Sequence, residues 1–399
     1  MSARPCDIAI LGGGLAGGLI ALALARHRPD LSLLLTEQDT HFGGNHVWSF
    51  FGSDVGRDGR ALLADAVEAA WPGYEVRFPA FERALGTSYY AMTSERFDAA
   101  LRAALPASAL LTGARVLAAD ARSATLADGT QIAARAVIDA RGIRNLGHLT
   151  GGWQKFVGRR LKLSVPHGVD RPIIMDATVE QLDGYRFVYV LPFAEDEIFI
   201  EDTYYSDSAT IDQDVLSQRI DDYARRRGWT IAGVVSEEQG VLPVVSGGDF
   251  DAFWRSTGKD MARAGARAGL FHAVTSYSLP DAVRYALAVV RRADCGGEEL
   301  ARFSEDYARK HWKRSSYLRQ LTAMLYGAAA PVDRYKVLER FYRLDEKLVE
   351  RFYAGRSTAF DKIRILSGKP PVPVLAAMRV LGGFGDKPQA LSLAGTRTK

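Results

Sequence analysis

The stretch AILGGGLAGG, residues 9–18, decides the fold of the N-terminal part of this chain. Its glycines at positions 12, 14 and 17 give a G-x-G-x-x-G spacing between an apolar run and the helix-forming segment LAGGLIALALARH. Gly12 allows a tight turn, Gly14 lets the backbone approach a pyrophosphate, and Gly17 lets helix and strand pack closely. Glu37 ends a second apolar run, where a carboxylate can bind ribose hydroxyl groups. The pattern predicts a dinucleotide-binding βαβ unit.

The rest of the chain predicts three regions around this unit. The run ARAVIDARG (134–142) predicts a further strand, preceded by a hairpin turn at Asp128-Gly129. YRFVYVLPF and EIFIEDTYY, within 151–245, predict two antiparallel strands, and the chain after residue 300 is predominantly helical. We therefore expect an α/β protein with a Rossmann-type part over 1–150 and 246–300, an inserted antiparallel-sheet substrate domain over 151–245, and a helical region over 301–399.

Charge distribution and cysteine content limit the partners and the compartment expected for this protein. The 399 residues carry a net charge of +4, but residues 301–399 hold 20 Lys and Arg against 9 Asp and Glu. A basic region of this kind either binds an anionic membrane surface or is simply exposed to solvent. No nucleic-acid-binding motif accompanies it, so nucleic acid is the weakest candidate partner. The two cysteines fit a reducing cytosol without disulfides, and we expect neither a signal peptide nor a spanning helix.

The stretch FIEDTYY (199–205) places an acidic pair on an apolar strand. Side chains alternate along a strand, so Phe199, Glu201 and Thr203 face one way and Asp202 faces the other. A glutamate beside Phe199 in an apolar site has its neutral form favoured by desolvation, which suits a general acid. The alternative is that the acids lie at an exposed strand end or bind Arg186 of the preceding strand.

Four stretches together resemble the bacterial lycopene β-cyclase family. They are GGNHVWSF (43–50), FIEDTYY (199–205), ARAGLFHAVTSYSLPDAV (266–283) and RFYAGRSTAFDKIRILSGKPPVP (351–373). The resemblance implies FAD, active in its reduced form, with NADPH as the reductant. It implies isomerisation of the acyclic ends of lycopene, and then of γ-carotene, to β-ionone rings. Glu201 is then the catalytic acid, with Asp202 in a supporting catalytic role.

The resemblance also indicates further cofactor-binding positions. The paired glycines of the first stretch allow close approach of the backbone to a ligand, and the start of a helix at SLPDAV could stabilise negative charge on a reduced flavin. The family usually has Thr at the position of Val47 and HPTTGYS where this chain reads HAVTSYS (272–278). The predicted positions, besides Gly12, Gly14, Gly17 and Glu37, are Gly44, His46, Gly142, Gly269, His272 and Ser278.

Two further expectations concern the segment DARG (139–142) and metals. The segment is expected to pass near the cofactor, and no salt bridge is expected between Asp139 and Arg141 if both lie on one strand face. No metal site is expected.

A hydrocarbon substrate dissolved in lipid implies that the enzyme docks on a membrane. The apolar segment VLAAMRVLGGF (374–384) and the basic C-terminal region are the predicted docking elements. We expect peripheral attachment to the cytoplasmic face of the bacterial inner membrane, no nucleic-acid partner, and other carotenoid enzymes as further partners. The alternatives are a redox flavoenzyme, either a monooxygenase or an isoprenoid or carotenoid reductase, and a non-catalytic lipid-binding protein.

Overall fold

The computed structural model describes residues 4–143, 145–258, 260–368, 372–382, 384 and 389–392. The strands are β1 (Arg4–Leu11), β2 (Leu33–Thr36), β3 (Val47–Phe51), β4 (Ala69–Trp71), β5 (Tyr74–Phe78), β6 (Phe81–Leu85), β7 (Tyr89–Thr93), β8 (Leu110–Leu111), β9 (Val116–Ala119), β10 (Ser123–Leu126), β11 (Gln131–Asp139), β12 (Leu149–Leu163), β13 (Ile173–Asp176), β14 (Tyr185–Ala194), β15 (Glu197–Ser206), β16 (Ile231–Gly248) and β17 (Ala262–Arg263). The helices are α1 (Leu15–His27), α2 (Gly56–Leu63), α3 (Ser94–Ala104), α4 (Gln213–Arg226), α5 (Phe250–Ser256), α6 (Leu279–Val290), α7 (Gly297–Arg314), α8 (Ser316–Gly327), α9 (Tyr335–Tyr342), α10 (Glu346–Tyr353), α11 (Ala359–Leu366) and α12 (Val374–Leu381).

The first sheet carries the glycine loop and confirms the predicted α/β class. Its strand order is β8-β2-β1-β11-β10-β9, and the short strand β17 pairs in parallel with the end of β11. Strand β1 pairs in parallel with both β2 and β11, and α1 connects β1 to β2, as a βαβ unit requires. The residues of β1 from Ile8 to Leu11 are fully buried, because helices cover the sheet on its faces. The predicted Asp128-Gly129 hairpin joins β10 and β11.

The second sheet is mostly antiparallel and has the order β16-β12-β15-β14-β13-β5-β6. Strands β14 and β15 pair as predicted from their aromatic and β-branched composition. Residues 74–85 also belong to this sheet, because β5 pairs in parallel with β13 and β6 pairs with β5. The predicted boundary at residue 150 therefore does not separate the two sheets. The pairing of β5 with β13 joins distant parts of the chain, which a local pattern does not report.

A small third sheet and the C-terminal helices complete the fold. The third sheet, β3-β7-β4, brings residues 47–51 beside the second sheet. The described chain after residue 296 is mostly helical and forms α7 to α12, of which α8 packs on β16 and α12 packs on α8. In the described part of the chain, no helix has the length and apolar character needed to cross a bilayer. Positions 369–371, 383, 385–388 and 393–399 of the predicted docking region lie outside the described residues.

Candidate active site

The glycine loop forms a cradle at the carboxyl end of β1. Gly12 has a φ of +99°, and a Cβ on Gly17 would lie 1.9 Å from the Gly12 carbonyl oxygen, so neither position accepts a larger residue. Gly14 precedes the first turn of α1, and a Cβ on it would meet nothing within 4 Å. Glu37 accepts a hydrogen bond from the Gly13 N–H at 2.7 Å. The four predicted positions Gly12, Gly14, Gly17 and Glu37 thus meet around an open space at a helix N-terminus, which fits a pyrophosphate and a ribose.

The segment DARG departs from its expectation. The structure forms the salt bridge that was not expected, with Arg141 Nη2 lying 2.8 Å from Asp139 Oδ2. Arg267 Nε lies 2.6 Å from the same oxygen. The reason is that β11 ends at Asp139, and the chain then turns at Gly142, whose φ is +68°, so that Arg141 is not on the strand face.

A cavity of about 250 Å³ lies between the second sheet, the third sheet and the loop that precedes α6. Its wall is mainly aromatic and aliphatic, a composition typical of sites for apolar ligands. Two carboxylates, those of Glu201 and Glu238, enter this apolar surround. The aromatic residues that line the cavity include Phe51, Tyr89, Phe187, Tyr189, Phe199 and Tyr205.

The two carboxylates meet because of strand register. Gly158 on the middle strand β12 is paired with Glu201 of β15 on one side and with Glu238 of β16 on the other. Directly paired residues point to the same face of a sheet, so both acids point into the cavity. A Cβ on Gly158 would lie 2.4 Å from the Phe199 ring and 3.1 Å from Glu238 Cγ. The glycine therefore leaves the room that the two acids and the ring occupy.

The surroundings of Glu201 favour its neutral, protonated form. Burial, and then the negative charge of Glu238, raise the pKa of Glu201 well above its usual value. The Thr203 hydroxyl donates a hydrogen bond to Glu201 Oε1 and acts against this shift. The predicted alternation is observed, since Phe199 and Glu201 line the cavity and the Thr203 hydroxyl, on the same face, bonds to Glu201. A carboxyl group that keeps its proton at neutral pH can act as a general acid.

Glu238 was missed by the sequence reasoning. Its Oε2 accepts the Val47 N–H at 2.9 Å and lies 3.4 Å from His46 Nδ1. A side-chain hydrogen bond between Glu238 and Glu201 also contributes to the raised pKa of Glu201. The available signal was a glutamate inside the strand pattern SEEQGVLPVV, where Glu237 and Glu238 must face opposite ways.

Asp202 lies on the opposite face of β15, away from the cavity. Arg186 Nε and Nη2 donate to its two oxygens at 2.7 and 3.1 Å, and the Tyr204 hydroxyl donates at 2.6 Å. Asp202 and Arg186 are both buried, so the pair is an internal ion pair. The structure does not bring Asp202 to Glu201, and the alternative that one acid binds Arg186 describes this residue.

The other predicted cofactor positions fall into two groups. His46 and Ser278 line the cavity, and Ser278 is the residue before α6. His272 lies outside it, with Nε2 bonded to the Phe352 carbonyl at 3.1 Å and Nδ1 to the Thr275 hydroxyl at 3.1 Å. Burial lowers the pKa of His272 to about 4, so the ring is neutral. The remaining positions are glycines in left-handed turns, with φ near +70°: Gly44, Gly142 and Gly269.

Comparison with known proteins decides the family. The family model described as lycopene cyclase protein matches residues 7–379. The chain belongs to the lycopene cyclase family. A lycopene β-cyclase of Pseudescherichia vulneris is 45% identical over 382 residues, which cover 96% of this chain and 98% of that protein. A lycopene β-cyclase of a Paracoccus strain is 44% identical and covers 94% of this chain and 97% of its own length.

Solved structures with the same fold as this lycopene cyclase family member are more distant in sequence. A geranylgeranyl bacteriochlorophyll reductase-like protein of Thermoplasma acidophilum has a TM-score of 0.59 at 13% identity, covering 96% of this chain and all of that chain. A probable FAD-dependent monooxygenase of Pseudomonas aeruginosa has a TM-score of 0.54 at 16% identity, covering 83% and 98%. At these identities the likeness establishes the fold alone.

Proposed function

We propose that the protein is a lycopene β-cyclase, which isomerises the acyclic ends of lycopene, and then of γ-carotene, to β-ionone rings without net redox change. The observation that carries the proposal is Glu201, a carboxyl group buried in an apolar, aromatic cavity beside Glu238, two features that raise its pKa. The family and the names of relatives at 43–45% identity support the substrate class.

Glu201 starts the reaction by giving its proton to the terminal double bond of one acyclic end. The resulting tertiary cation is attacked by the next double bond of the same arm, and a six-membered ring closes. Loss of a ring proton then gives the β end. Glu238 is the group that takes this proton, because it is the second carboxylate in the cavity and its side chain is hydrogen-bonded to Glu201. Return of the proton to Glu201 along this hydrogen bond regenerates the acid, so atoms and charge balance over the cycle.

The glycine cradle is suited to hold FAD. The open space before Gly14 accepts the pyrophosphate, and Glu37 can exchange its bond with Gly13 for the ribose hydroxyls. When bound, reduced FAD supplies negative charge that stabilises the carbocation, with NADPH as the reductant that keeps it reduced. Ser278 and His46 are the predicted cofactor positions that also line the catalytic cavity.

The helices α11 and α12 are the proposed membrane-docking surface. Five apolar side chains on or directly after these helices are between 64% and 86% exposed, far above what a packed helix face shows. Arg364 and Arg379 are exposed beside them and favour anionic lipid. These features support peripheral attachment to the cytoplasmic face of the inner membrane, where other carotenoid enzymes would be neighbours. The five side chains, called the docking surface below, are Phe360, Ile363, Leu375, Met378 and Phe384.

The deciding experiment is anaerobic incubation of the purified protein with lycopene in liposomes and reduced FAD, followed by separation of the carotenes. We expect new β ends with no NADPH consumed per turnover. Glu201→Gln should lower the cyclisation rate by a factor of about 10²–10⁴ while the protein still binds flavin. The matched control is Glu195→Gln, in the exposed turn between β14 and β15. Unchanged lycopene with steady NADPH oxidation would refute the proposal in favour of a redox flavoenzyme.

A further inference from the structure

A second apolar cavity, of about 340 Å³, lies among the C-terminal helices. We call it the vestibule. Arg340 is the charged residue in its described lining, and this guanidinium donates to the backbone carbonyls of Ile365 and Ser367. The guanidinium thus binds carbonyls at the C-terminal end of α11, and the rest of the described lining presents apolar side chains to a ligand. Other residues that define the vestibule are Leu321, Leu325, Phe341, Ala377 and Met378.

The vestibule and the catalytic cavity share part of their lining. Val274, Leu338 and Phe352 line both cavities. The Phe352 ring is buried between Phe341, with centroids 4.6 Å apart, and His272, with centroids 5.1 Å apart. The partition between the two cavities is therefore built of apolar residues, and no charged side chain has to move to connect them.

The other end of the vestibule opens at the docking surface. Leu366, Val374 and Met378 line it and are each more than half exposed. Leu366 ends α11 and Val374 begins α12, so the mouth lies between the two helices that carry the docking surface. An apolar path thus runs from the proposed lipid contact, through the vestibule, to the partition in front of Glu201.

We propose that the vestibule is a second substrate-binding site, which holds the distal arm of a long acyclic polyene while the near end reacts at Glu201. The inference rests on the proposed function and deepens it. A cavity of about 250 Å³ is smaller than the pockets that enclose drug-sized ligands, and a C40 hydrocarbon is longer than such ligands. The unreacted arm therefore needs an apolar enclosure beside the catalytic cavity, and the vestibule, formed by described residues, shares its wall.

The test fills the vestibule with Ala377→Trp, on α12. Its matched control is Ala376→Trp, the neighbouring alanine of the same helix, which lies outside both the vestibule lining and the docking surface. Each protein is given lycopene and a truncated acyclic carotenoid that has the same reacting end and a short distal arm. We expect Ala377→Trp to lower kcat/KM for lycopene by about tenfold or more and to leave the truncated substrate within about twofold. Lycopene retained by the protein after gel filtration should fall in parallel.

The outcomes separate the inference from the proposed function. Unchanged lycopene turnover and retention in Ala377→Trp would overturn the second site, as would an equal loss on both substrates, which would indicate a disturbed catalytic cavity. Failure of the unsubstituted protein to convert either substrate would refute the proposed function. Retention of lycopene that is unaffected by Ala377→Trp would still overturn the vestibule in that case.

Discussion

Replacing Glu238 by Gln tests whether Glu201 acts as the general acid and Glu238 as the general base. Gln keeps an oxygen that can accept the Val47 N–H but removes the negative charge and the proton acceptor. The charge of Glu238 is the second cause, after burial, of the raised pKa of Glu201. In the variant the pKa of Glu201 should therefore move down towards its usual value, and the ring proton should lose its acceptor.

The size of the shift follows from the register of the sheet. Glu201 and Glu238 are both paired with Gly158, so their backbones are two strand spacings apart, roughly 10 Å. Their side chains lean over the glycine and hydrogen-bond to each other, which brings the charge centres to within roughly 4–5 Å. At an effective dielectric constant of about 20, this separation gives an interaction of about 3–4 kcal/mol, or about 2–3 pKa units. Loss of a general base lowers the rate by about 10²–10⁴.

The assay is the pH dependence of kcat for cyclisation. Activity needs protonated Glu201, so the rate falls as the pH rises through its pKa, and this limb should move to lower pH in Glu238→Gln. Where turnover is too slow, the infrared carboxyl stretch that Glu201→Gln abolishes reports the same titration. Glu237→Gln is the matched control, because the Glu237 carboxylate is partly exposed, lies outside the cavity lining and pairs with Arg159. A profile and a kcat like those of the unsubstituted protein would refute the role of Glu238.

Three further perturbations probe other parts of the structure. Asp202→Asn should lower the free energy of unfolding in urea by about 3–5 kcal/mol, because it leaves Arg186 buried without its carboxylate partner. The folded protein should keep its kcat, and a loss of kcat without a loss of stability would restore a catalytic role for Asp202. Burial raises the pKa of Asp54 to about 7, so its contribution to stability is fully present below about pH 4 and is lost by about 1.4 kcal/mol per pH unit as the pH rises towards 7. Asp54→Asn should flatten that part of the pH–stability curve, and an unchanged slope would contradict the assignment. Leu375→Glu should weaken binding to anionic liposomes by about tenfold or more without changing the urea midpoint, as flotation measures; undiminished binding would show that α12 is not in the lipid contact.

Local patterns predicted several elements because their causes are local. The glycine spacing predicted the βαβ unit, since the turn, the close packing and the helix start all involve residues within one loop. The Asp128-Gly129 turn predicted the hairpin of β10 and β11 for the same reason. Alternation along β15 predicted that Glu201 and Asp202 face opposite ways. It did not show which acid enters a cavity.

Contacts between distant segments were outside the reach of these patterns. The pairing of Glu238 with Gly158 depends on the register of β16 against β12, where three irregularities shift the alignment. The salt bridge from Asp139 to Arg141 depends on where β11 ends, and the contribution of residues 74–85 to the second sheet depends on β5 meeting β13. A register shift of one residue reverses the face of every side chain, so composition alone does not fix these contacts.

The sequence by itself determined the dinucleotide-binding loop, the strand that carries the acid, and the family through its four long motifs. Only the tertiary structure decided that a second carboxylate lies beside Glu201, that Asp202 is bound to Arg186 instead, and that two apolar cavities share Val274, Leu338 and Phe352. The physical reason is that the first group depends on neighbouring residues in the chain. The second depends on which strands and helices pack together, and that is settled by the burial of the whole core.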